Sequence, residues 1–304
     1  MPRKKAIVIE LAGGLGNQLF QYFAGFYIAD QLGKKLKIDV RYAQETHSKH
    51  DISAFVLPGE FLRDSNSMIN RSRKFRRRLS DAFFIRIPSS VKFNKFILRR
   101  HYFDSGESAD QIMQRAKDCY RITGYFANKL FILELQKKSK FLELELRNPS
   151  IWYQNIEAKA KRISPVMVHI RRGDYISNSE YYGLLSEKYY EKIISELPLD
   201  VTCRGVWVFC DQPEQVKGWD LWEKYEVTFV NEADSPKADP AEFLKLLTHA
   251  KYLIMANSSF SYFAGMFNQN KEVIFCPDPP LKGSKSNSEL IYPEDWLRVQ
   301  SEWA

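Results

Sequence analysis

The chain has 304 residues, of which 44% are hydrophobic, so it can bury one large core or two cores of about 150 residues each. Its net charge is +8, but residues 71–100 hold eleven Lys and Arg side chains against the single acid Asp81, so the rest of the chain sums to −2. No run approaches the ~20 apolar residues of a membrane span, which argues against a membrane-embedded protein. The cysteines lack any C-x-x-C pair, which argues against a cysteine metal site.

The first half opens with the order strand, turn, helix, strand. Residues 6–11 (AIVIEL) have the β-branched composition of a buried strand, and the turn GGLGNQ follows them. An apolar stretch with helical periodicity then ends at Gly33, a suitable C-terminal cap, and residues 35–40 (KLKIDV) restart as a strand. This order predicts an α/β domain with a parallel sheet. We expect a helical insertion, or else a set of loops, at about residues 41–100.

The second half repeats this pattern. A helix is predicted over residues 153–163, followed by the strand VMVHI and by four further apolar runs, GVWVFCD, VTFV, YLIMA and KEVIFC. Helix-like stretches such as AEFLKLLTHA separate these runs. The simplest interpretation is an α/β protein with two Rossmann-like domains facing each other across a cleft. The predicted N-terminal domain covers residues 1–155 and the predicted C-terminal domain covers residues 156–304.

Polar residues follow three of the predicted strands, at the ends where open α/β sheets bind ligands. The first cluster is GGLGNQ, which departs from the dinucleotide fingerprint because Leu19 stands where a frame from Gly14 needs its last glycine. Its backbone N–H groups can approach an anion at a helix start. Taken alone, an ordinary tight turn explains this cluster better.

The second cluster is HIRRGDY, residues 169–175. Arginine offers a planar fork that bonds two phosphate oxygens at once and keeps its charge. His169, Arg171 and Asp174 converge near the strand end if the first three residues are extended and the next three turn. An Arg–Asp ion pair that only caps a loop is an equally good explanation.

The third cluster lies in IMANSSFSYFAGMFN, residues 254–268. A strand is predicted to end at Ala256, and Asn257, Ser258 and Ser259 supply N-cap chemistry for a helix that starts near Phe260. Hydroxyl groups and free backbone amides at a helix start form a phosphate pocket. A well-capped helix with no ligand explains the same residues.

Several absent motifs narrow the chemistry. The sequence has no D-x-D pair to hold a divalent metal against a diphosphate, no G-x-x-x-x-G-K-[ST] loop and no G-x-S-x-G nucleophile elbow. We therefore expect no metal. If a diphosphate is bound, its charge must be met by arginine, helix dipoles and hydroxyl groups.

Taken together, GGLGNQLFQY, HIRRGDY and NSSFSYFAGMFN stand in an order that closely resembles the α-1,2-fucosyltransferase family, glycosyltransferase family 11. Shorter matches are GYF at residues 124–126, VFCD at 208–211 and YPEDW at 292–296, so the resemblance spans nearly the whole chain. The lack of a visible membrane stem is similar to bacterial members, which build polysaccharides such as O antigens.

The resemblance implies a GT-B architecture and an inverting, metal-independent reaction. Its members transfer L-fucose from the donor substrate GDP-fucose to the 2-hydroxyl of a terminal galactose on a glycan, and no cofactor is expected. The first domain would be the acceptor side and the second the donor side. Alternatives are a fucosyltransferase of another linkage, a transferase of another GDP-sugar, or, outside the enzymes, an RNA-binding protein that uses the basic segment.

The family motifs assign roles residue by residue. Arg171 matches the arginine that contacts the donor β-phosphate in related fucosyltransferases, and with His169 and Asp174 it forms the predicted catalytic set. Asn17 matches an asparagine placed near the fucose and the leaving oxygen. The predicted donor-binding residues are Gly14, Gly16, Asn17, Gln18, Arg172, Asn257, Ser258, Ser259, Phe260 and Ser261.

The base that deprotonates the acceptor hydroxyl has three candidates, Glu10, His169 and Asp174. An ion-paired Asp174 would be a poor base, and Glu10 also has a structural explanation. The sequence leaves the base unassigned.

The basic segment of residues 71–100 has two explanations. Basic residues beside aromatic ones suit an anionic membrane surface, and a lipid-linked acceptor would bring the protein to it. A solvated face of the helical insertion explains the segment somewhat better. We expect a cytoplasmic protein, with peripheral contact at the inner membrane face as the open alternative, and no nucleic-acid partner.

Overall fold

The computed structural model describes residues 6–41, 43, 52–62, 100–103, 109–138, 143–230, 239–283 and 288–304. The chain divides into two compact units. The first consists of Met1–Gly14, Phe20–Asp51 and Pro58–Phe126, and the second consists of Leu15–Leu19, Ile52–Leu57 and Ala127–Ala304. The basic segment predicted at residues 71–100 lies outside the described residues, apart from the backbone of its last one.

The described strands of the first unit form a parallel sheet. They are β1 (Ala6–Glu10), β2 (Lys35–Asp39), β3 (Glu60–Leu62), β4 (Arg100–Phe103) and β5 (Arg121–Gly124), in the spatial order β3-β2-β1-β5-β4. Helix α1 (Leu15–Gln31) connects β1 to β2, and α2 (Ala109–Ala116) precedes β5. The first turn of α1, Leu15–Leu19, groups with the second unit.

A cluster of charges ties together strands of the first sheet. Arg121 donates from Nη1 to Glu10 Oε1 at 2.8 Å and to Asp39 Oδ2 at 2.7 Å. Arg41 binds the same Asp39 carboxylate with both Nε and Nη2, each at 2.6 Å. Burial alone would raise the pKa of Asp39, but the two guanidinium groups outweigh it and lower the pKa to about 2. Glu10, one candidate for the base, is thus held by Arg121 inside this unit.

This cluster predicts acid-sensitive stability. Because the folded pKa of Asp39 lies below its ordinary value of 3.8, its contribution is full above about pH 4 and is lost as pH falls towards 2. The measurement is urea unfolding at pH 5 and at pH 2. Between these pH values, the free energy of unfolding should fall by about 2 kcal/mol more in the unaltered protein than in Asp39→Asn. Equal acid sensitivity of the two proteins would contradict this role for Asp39.

The described strands of the second unit form another parallel sheet. They are β6 (Val166–Ile170), β7 (Val206–Cys210), β8 (Val227–Phe229), β9 (Tyr252–Ile254), β10 (Val273–Asp278) and β11 (Leu297–Gln300), in the order β11-β10-β9-β6-β7-β8. Every residue of β6 and β7 is buried, because both strands lie inside the sheet with helices on its faces. The predicted strand VMVHI and the α/β class are confirmed.

The helices of the second unit pack on this sheet. The longest of those described is α4, whose N-cap Ser150 accepts from the Tyr153 amide at 3.1 Å and donates to the buried Glu242 at 3.0 Å. No helix within the described residues has both the length and the hydropathy needed to cross a bilayer. The helices are α3 (Leu130–Lys137), α4 (Ile151–Ile163), α5 (Gly173–Ser177), α6 (Ser179–Tyr182), α7 (Glu187–Glu196), α8 (Leu199–Thr202), α9 (Pro240–Leu247), α10 (Ser259–Met266) and α11 (Ser288–Ile291).

The compact units divide between Phe126 and Ala127, whereas the sequence placed the boundary near residue 155. A boundary at 155 would cut α4, which Ser150 and Glu242 anchor to α9. The preceding helix α3 also belongs to the second unit, where Gln136 Nε2 donates to the Met266 carbonyl at 3.0 Å. The predicted insertion at residues 41–100 also contains β3, which pairs with β2 in the parallel sheet.

Candidate active site

Three chain segments emerge side by side from the carboxyl edge of the second sheet. Strand β6 pairs with β7 on one side, ending with Ile170 opposite Cys210, and with β9 on the other. Because all three strands are parallel, the residues that follow them share one edge of the sheet. The polar groups at this edge come from residues 171–174, Asp211 and residues 257–261.

Arg171 is held between two carboxylates directly after β6. Its Nη1 pairs with Asp211 Oδ2 at 2.8 Å and its Nη2 with Asp174 Oδ1. Burial alone would lower the pKa of the guanidinium, but Asp211 and Asp174 outweigh burial and raise the pKa above its ordinary value. The side chain remains partly exposed. Arg171 is therefore a fixed positive charge that solvent, and hence a ligand, can reach.

Asp211 organises this edge, although the sequence prediction did not include it among the site residues. Besides pairing with Arg171, its Oδ1 accepts from the Arg172 amide at 2.8 Å. A Cβ at Gly173, whose φ is +21°, would overlap the Asp211 carboxylate. An aspartate directly after a buried strand, in VFCD, was the signal that could have found it.

Arg172 points into the unit, away from the exposed position of Arg171. Its Nη2 donates to the Leu185 carbonyl at 2.8 Å, and its guanidinium lies 5.1 Å from the centre of the Trp219 ring. The side chain is buried. In this position Arg172 supports the loop that carries Arg171, and its predicted contact with the donor stays a prediction.

His169 is buried near the end of β6 and is stacked on Phe260, with ring centres 5.2 Å apart. Burial, with a smaller effect from the positive charge of Arg171, lowers the pKa of His169 to about 3, so the ring is neutral at neutral pH. Its Nδ1 is buried without a hydrogen-bond partner in the described part of the chain. A group with such a low pKa is a weak base.

The residues before and within the first turn of α10 cap that helix and fix its position. Ser258 Oγ accepts from the Phe260 amide at 3.2 Å, which confirms the predicted N-cap chemistry. The buried Ser261 donates to the Ala256 carbonyl at 3.1 Å. Asn257 Nδ2 donates to the Tyr182 carbonyl at 2.8 Å. These three polar side chains therefore act within the fold.

The starts of α1 and α10 touch each other within the second unit. Ser259 Oγ donates to Asn17 Oδ1 at 3.0 Å. A Cβ on Gly16 would lie 2.5 Å from the Ser259 carbonyl carbon and 2.7 Å from the Phe260 nitrogen. Each helix start carries a partial positive charge, so their convergence favours an anion nearby.

The other two residues predicted in GGLGNQ make different contacts. Gln18 is fully buried, and its Oε1 accepts from the Ile52 amide at 3.3 Å, which ties the short segment Ile52–Leu57 to α1. Gly14 is the N-cap of α1, and a Cβ added there would meet no atom within 4 Å. Gly16, and not Gly14, is thus the glycine that close packing requires.

Comparisons with known proteins find relatives of this chain in both sequence and fold. The chain is 29% identical to the alpha-1,2-colitosyltransferase of Escherichia coli, over 97% of this chain and 99% of that one. It is 25% identical to the O-antigen biosynthesis glycosyltransferase WbnK of Escherichia coli, over 95% and 99%. The fold also matches a crystal structure of POFUT1 in complex with GDP-fucose, with a TM-score of 0.50 at 10% identity. The match covers 100% of this chain and 99% of the POFUT1 chain, and it supports the GT-B-like fold class.

The family assignment rests on the whole sequence. The family described as glycosyl transferase family 11 matches residues 3–300, which include all three motifs and both units. This match confirms the predicted resemblance. The chain therefore belongs to glycosyl transferase family 11 and is a glycosyltransferase.

Proposed function

We propose that this chain transfers L-fucose from GDP-fucose to the 2-hydroxyl of a terminal galactose, with inversion at the anomeric carbon and without a metal ion. The observation that carries the proposal is the partly exposed guanidinium of Arg171, fixed by Asp211 and Asp174 at the strand edge that also holds the start of α10. A donor diphosphate is the ligand that such a fork and helix start would bind best.

In this proposal Arg171 stabilises the departing diphosphate. The acceptor oxygen forms a bond to fucose C1 while the bond from C1 to the β-phosphate oxygen breaks, and the hydroxyl proton passes to a base. Negative charge then grows on GDP. A guanidinium has five N–H groups. On Arg171, Nη2 donates to Asp174 and Nη1 forms an ion pair with Asp211, so N–H groups remain for phosphate oxygens. Stabilisation that strengthens as charge grows is what accelerates the step.

The meeting helix starts would supply the rest of the positive field. Backbone N–H groups at the starts of α1 and α10 converge where Gly16 touches Ser259. In the proposed mechanism they take the place of a divalent ion. Asn17, hydrogen-bonded to Ser259, is the proposed neighbour of the leaving oxygen.

The second candidate is transfer of colitose from GDP-colitose. The 29% identity to a protein named alpha-1,2-colitosyltransferase favours it. Colitose lacks the 3-hydroxyl of fucose, so a site that hydrogen-bonds this hydroxyl would strongly prefer fucose. Both donors carry the same GDP leaving group, and the role of Arg171 is the same for either.

The decisive experiment is incubation with GDP-fucose or GDP-colitose, in EDTA, against a panel of β-galactosides, followed by NMR of the product. We expect faster consumption of GDP-fucose and an α-1,2 linkage to galactose. Faster use of GDP-colitose would select the second candidate. Activity that disappears in EDTA and returns with Mg²⁺ or Mn²⁺ would contradict the metal-independent mechanism, and a product bonded elsewhere on the galactose would overturn the linkage.

Asp211→Asn tests how Arg171 is positioned. The amide keeps an oxygen for the Arg172 backbone N–H but loses the ion pair with Arg171, a loss worth roughly a tenfold change in rate. We expect turnover to fall about tenfold, and the affinity for GDP to fall while that for guanosine is unchanged. Asp200→Asn, which removes the exposed partner of Arg204, is the matched control and should be silent. Parallel losses for GDP and guanosine would point to general damage instead.

A further inference from the structure

A row of tyrosines extends from Arg171 to the protein surface. The guanidinium carbon of Arg171 lies 5.5 Å from the centre of the Tyr175 ring. Tyr175 stacks on Tyr182, with centres 4.4 Å apart and planes 11° apart, and Tyr182 meets Tyr181 edge to face at 5.1 Å. We call these three residues the tyrosine row. Tyr181, at its end, is 51% exposed.

The backbone of the tyrosine row is fixed even though its last ring is exposed. The Tyr175 hydroxyl donates to the Asn257 carbonyl at 3.1 Å, and the Asn257 side-chain amide donates to the Tyr182 carbonyl. The Gly283 amide donates to the Tyr181 carbonyl at 2.8 Å, and a Cβ on Gly283 would lie 2.8 Å from Tyr181 Cα. A ligand that contacts Tyr181 would therefore order little backbone, which favours binding.

An exposed tyrosine ring on a fixed backbone suits a sugar better than a phosphate. The C–H groups on one face of galactose form an apolar surface that packs on an aromatic ring, while tyrosine offers no positive charge for an anion. Ile176 is also exposed in this segment and adds apolar surface. The positive charge needed by the diphosphate is at Arg171, the opposite end of the row. One end of the tyrosine row therefore lies beside the arginine proposed to bind the leaving group, and the other end, Tyr181, suits a neutral, partly apolar ligand.

We propose that Tyr181 packs against a sugar ring of the acceptor glycan and so helps to select the acceptor. This inference rests on the proposed function, because it assigns the acceptor side of the same reaction. The Asn257 side chain then acts as a positioning residue for the tyrosine row, through the Tyr182 carbonyl, and not as a direct contact of the donor.

The test compares Tyr181→Ala and Tyr181→Phe in acceptor kinetics with lactose and GDP-fucose. We expect the alanine variant to raise the KM for lactose about tenfold, and the phenylalanine variant to stay within about twofold, because the ring face is kept. The KM for GDP-fucose and its slow hydrolysis without acceptor should not change in either. Leu199→Ala, at an 82% exposed apolar residue of α8, is the control for losing exposed apolar surface.

The outcomes separate this inference from the proposed function. If the unaltered protein is active and Tyr181→Ala leaves the KM for lactose unchanged, the inference alone is overturned. The same holds if Tyr181→Ala impairs the hydrolysis of GDP-fucose as much as it impairs transfer to lactose. If the unaltered protein neither transfers nor hydrolyses GDP-fucose, the proposed function fails. In that case ligand-detected NMR of lactose decides: binding that Tyr181→Ala abolishes and Tyr181→Phe keeps supports the contact, and no binding to the unaltered protein rejects it.

Discussion

Replacing Arg171 with alanine should lower the turnover of GDP-fucose by about 10²-fold to 10³-fold, the usual effect of removing one preorganised electrostatic group. The guanidinium is the charge that would meet the β-phosphate as the bond to fucose breaks. It is held in place by two carboxylates before any ligand arrives, so little reorganisation is needed in the transition state. The measurement is kcat at saturating donor and acceptor.

The Arg171→Ala variant should remain folded. Arg171 is partly exposed and follows β6, whose residues are all buried and unaffected by the change. Asp211 keeps its hydrogen bond from the Arg172 amide. We therefore expect the far-ultraviolet circular dichroism spectrum and the melting temperature to stay close to those of the unaltered protein.

Two further variants sharpen the prediction. Arg171→Lys should recover little activity, because a lysine ammonium cannot bond Asp174, Asp211 and a phosphate with the geometry of the planar fork. Arg204→Ala, which removes a partly exposed arginine paired with Asp200, should be silent. Near-normal turnover in a folded Arg171→Ala protein would eliminate the proposed role.

Much of the second unit could be predicted because its signals are local. The apolar run VMVHI lies inside the sheet, and parallel strands covered on both faces require such runs. The Ser258 cap was predictable because its chemistry depends on two residues that are only two positions apart. The family could be predicted for a different reason: the motifs that resemble it are spread over nearly the whole chain and occur in the family's order.

The different positions of the two adjacent arginines were not predicted. Successive side chains of an extended chain point in opposite directions, so one arginine at the strand end should be outside and its neighbour inside. Which one is outside depends on contacts that are distant in sequence: Asp211 holds Arg171, and the Leu185 carbonyl and the Trp219 ring hold Arg172. Sequence spacing alone contains none of these contacts.

The boundary of the compact units differs from the predicted one for a similar reason. Helix α4 belongs to the second unit because Ser150 bonds Glu242, a residue 92 positions away. The change of pattern near residue 155 marks the interior of this helix and not a linker. Likewise, only the packed structure distinguishes the glycines of GGLGNQ, because their roles depend on how closely Ser259 approaches.

Gly16→Ala should reduce both stability and turnover, although alanine is normally the better helix residue. The added methyl group would lie 2.5 Å from both the carbonyl carbon and Oγ of Ser259 and 2.7 Å from the Phe260 nitrogen. Two of these atoms are backbone, so no side-chain rotation relieves the overlap. Overpacking typically costs about 1–3 kcal/mol, partly offset by the helix preference of alanine.

The larger effect of Gly16→Ala should be on the reaction. Relieving the overlap requires the starts of α1 and α10 to move apart, which displaces the N–H groups proposed to surround the diphosphate. A displacement of about 1 Å can cost 10²-fold in rate, so we expect kcat to fall by about that factor.

Gly14→Ala is the matched control for stability, because its Cβ meets open space and its φ of −70° suits any residue. Urea unfolding should show a loss of less than about 1 kcal/mol for Gly14→Ala and a larger one for Gly16→Ala. If Gly16→Ala matched the unaltered protein in both stability and turnover, the contact between the helix starts would not be what holds this site together.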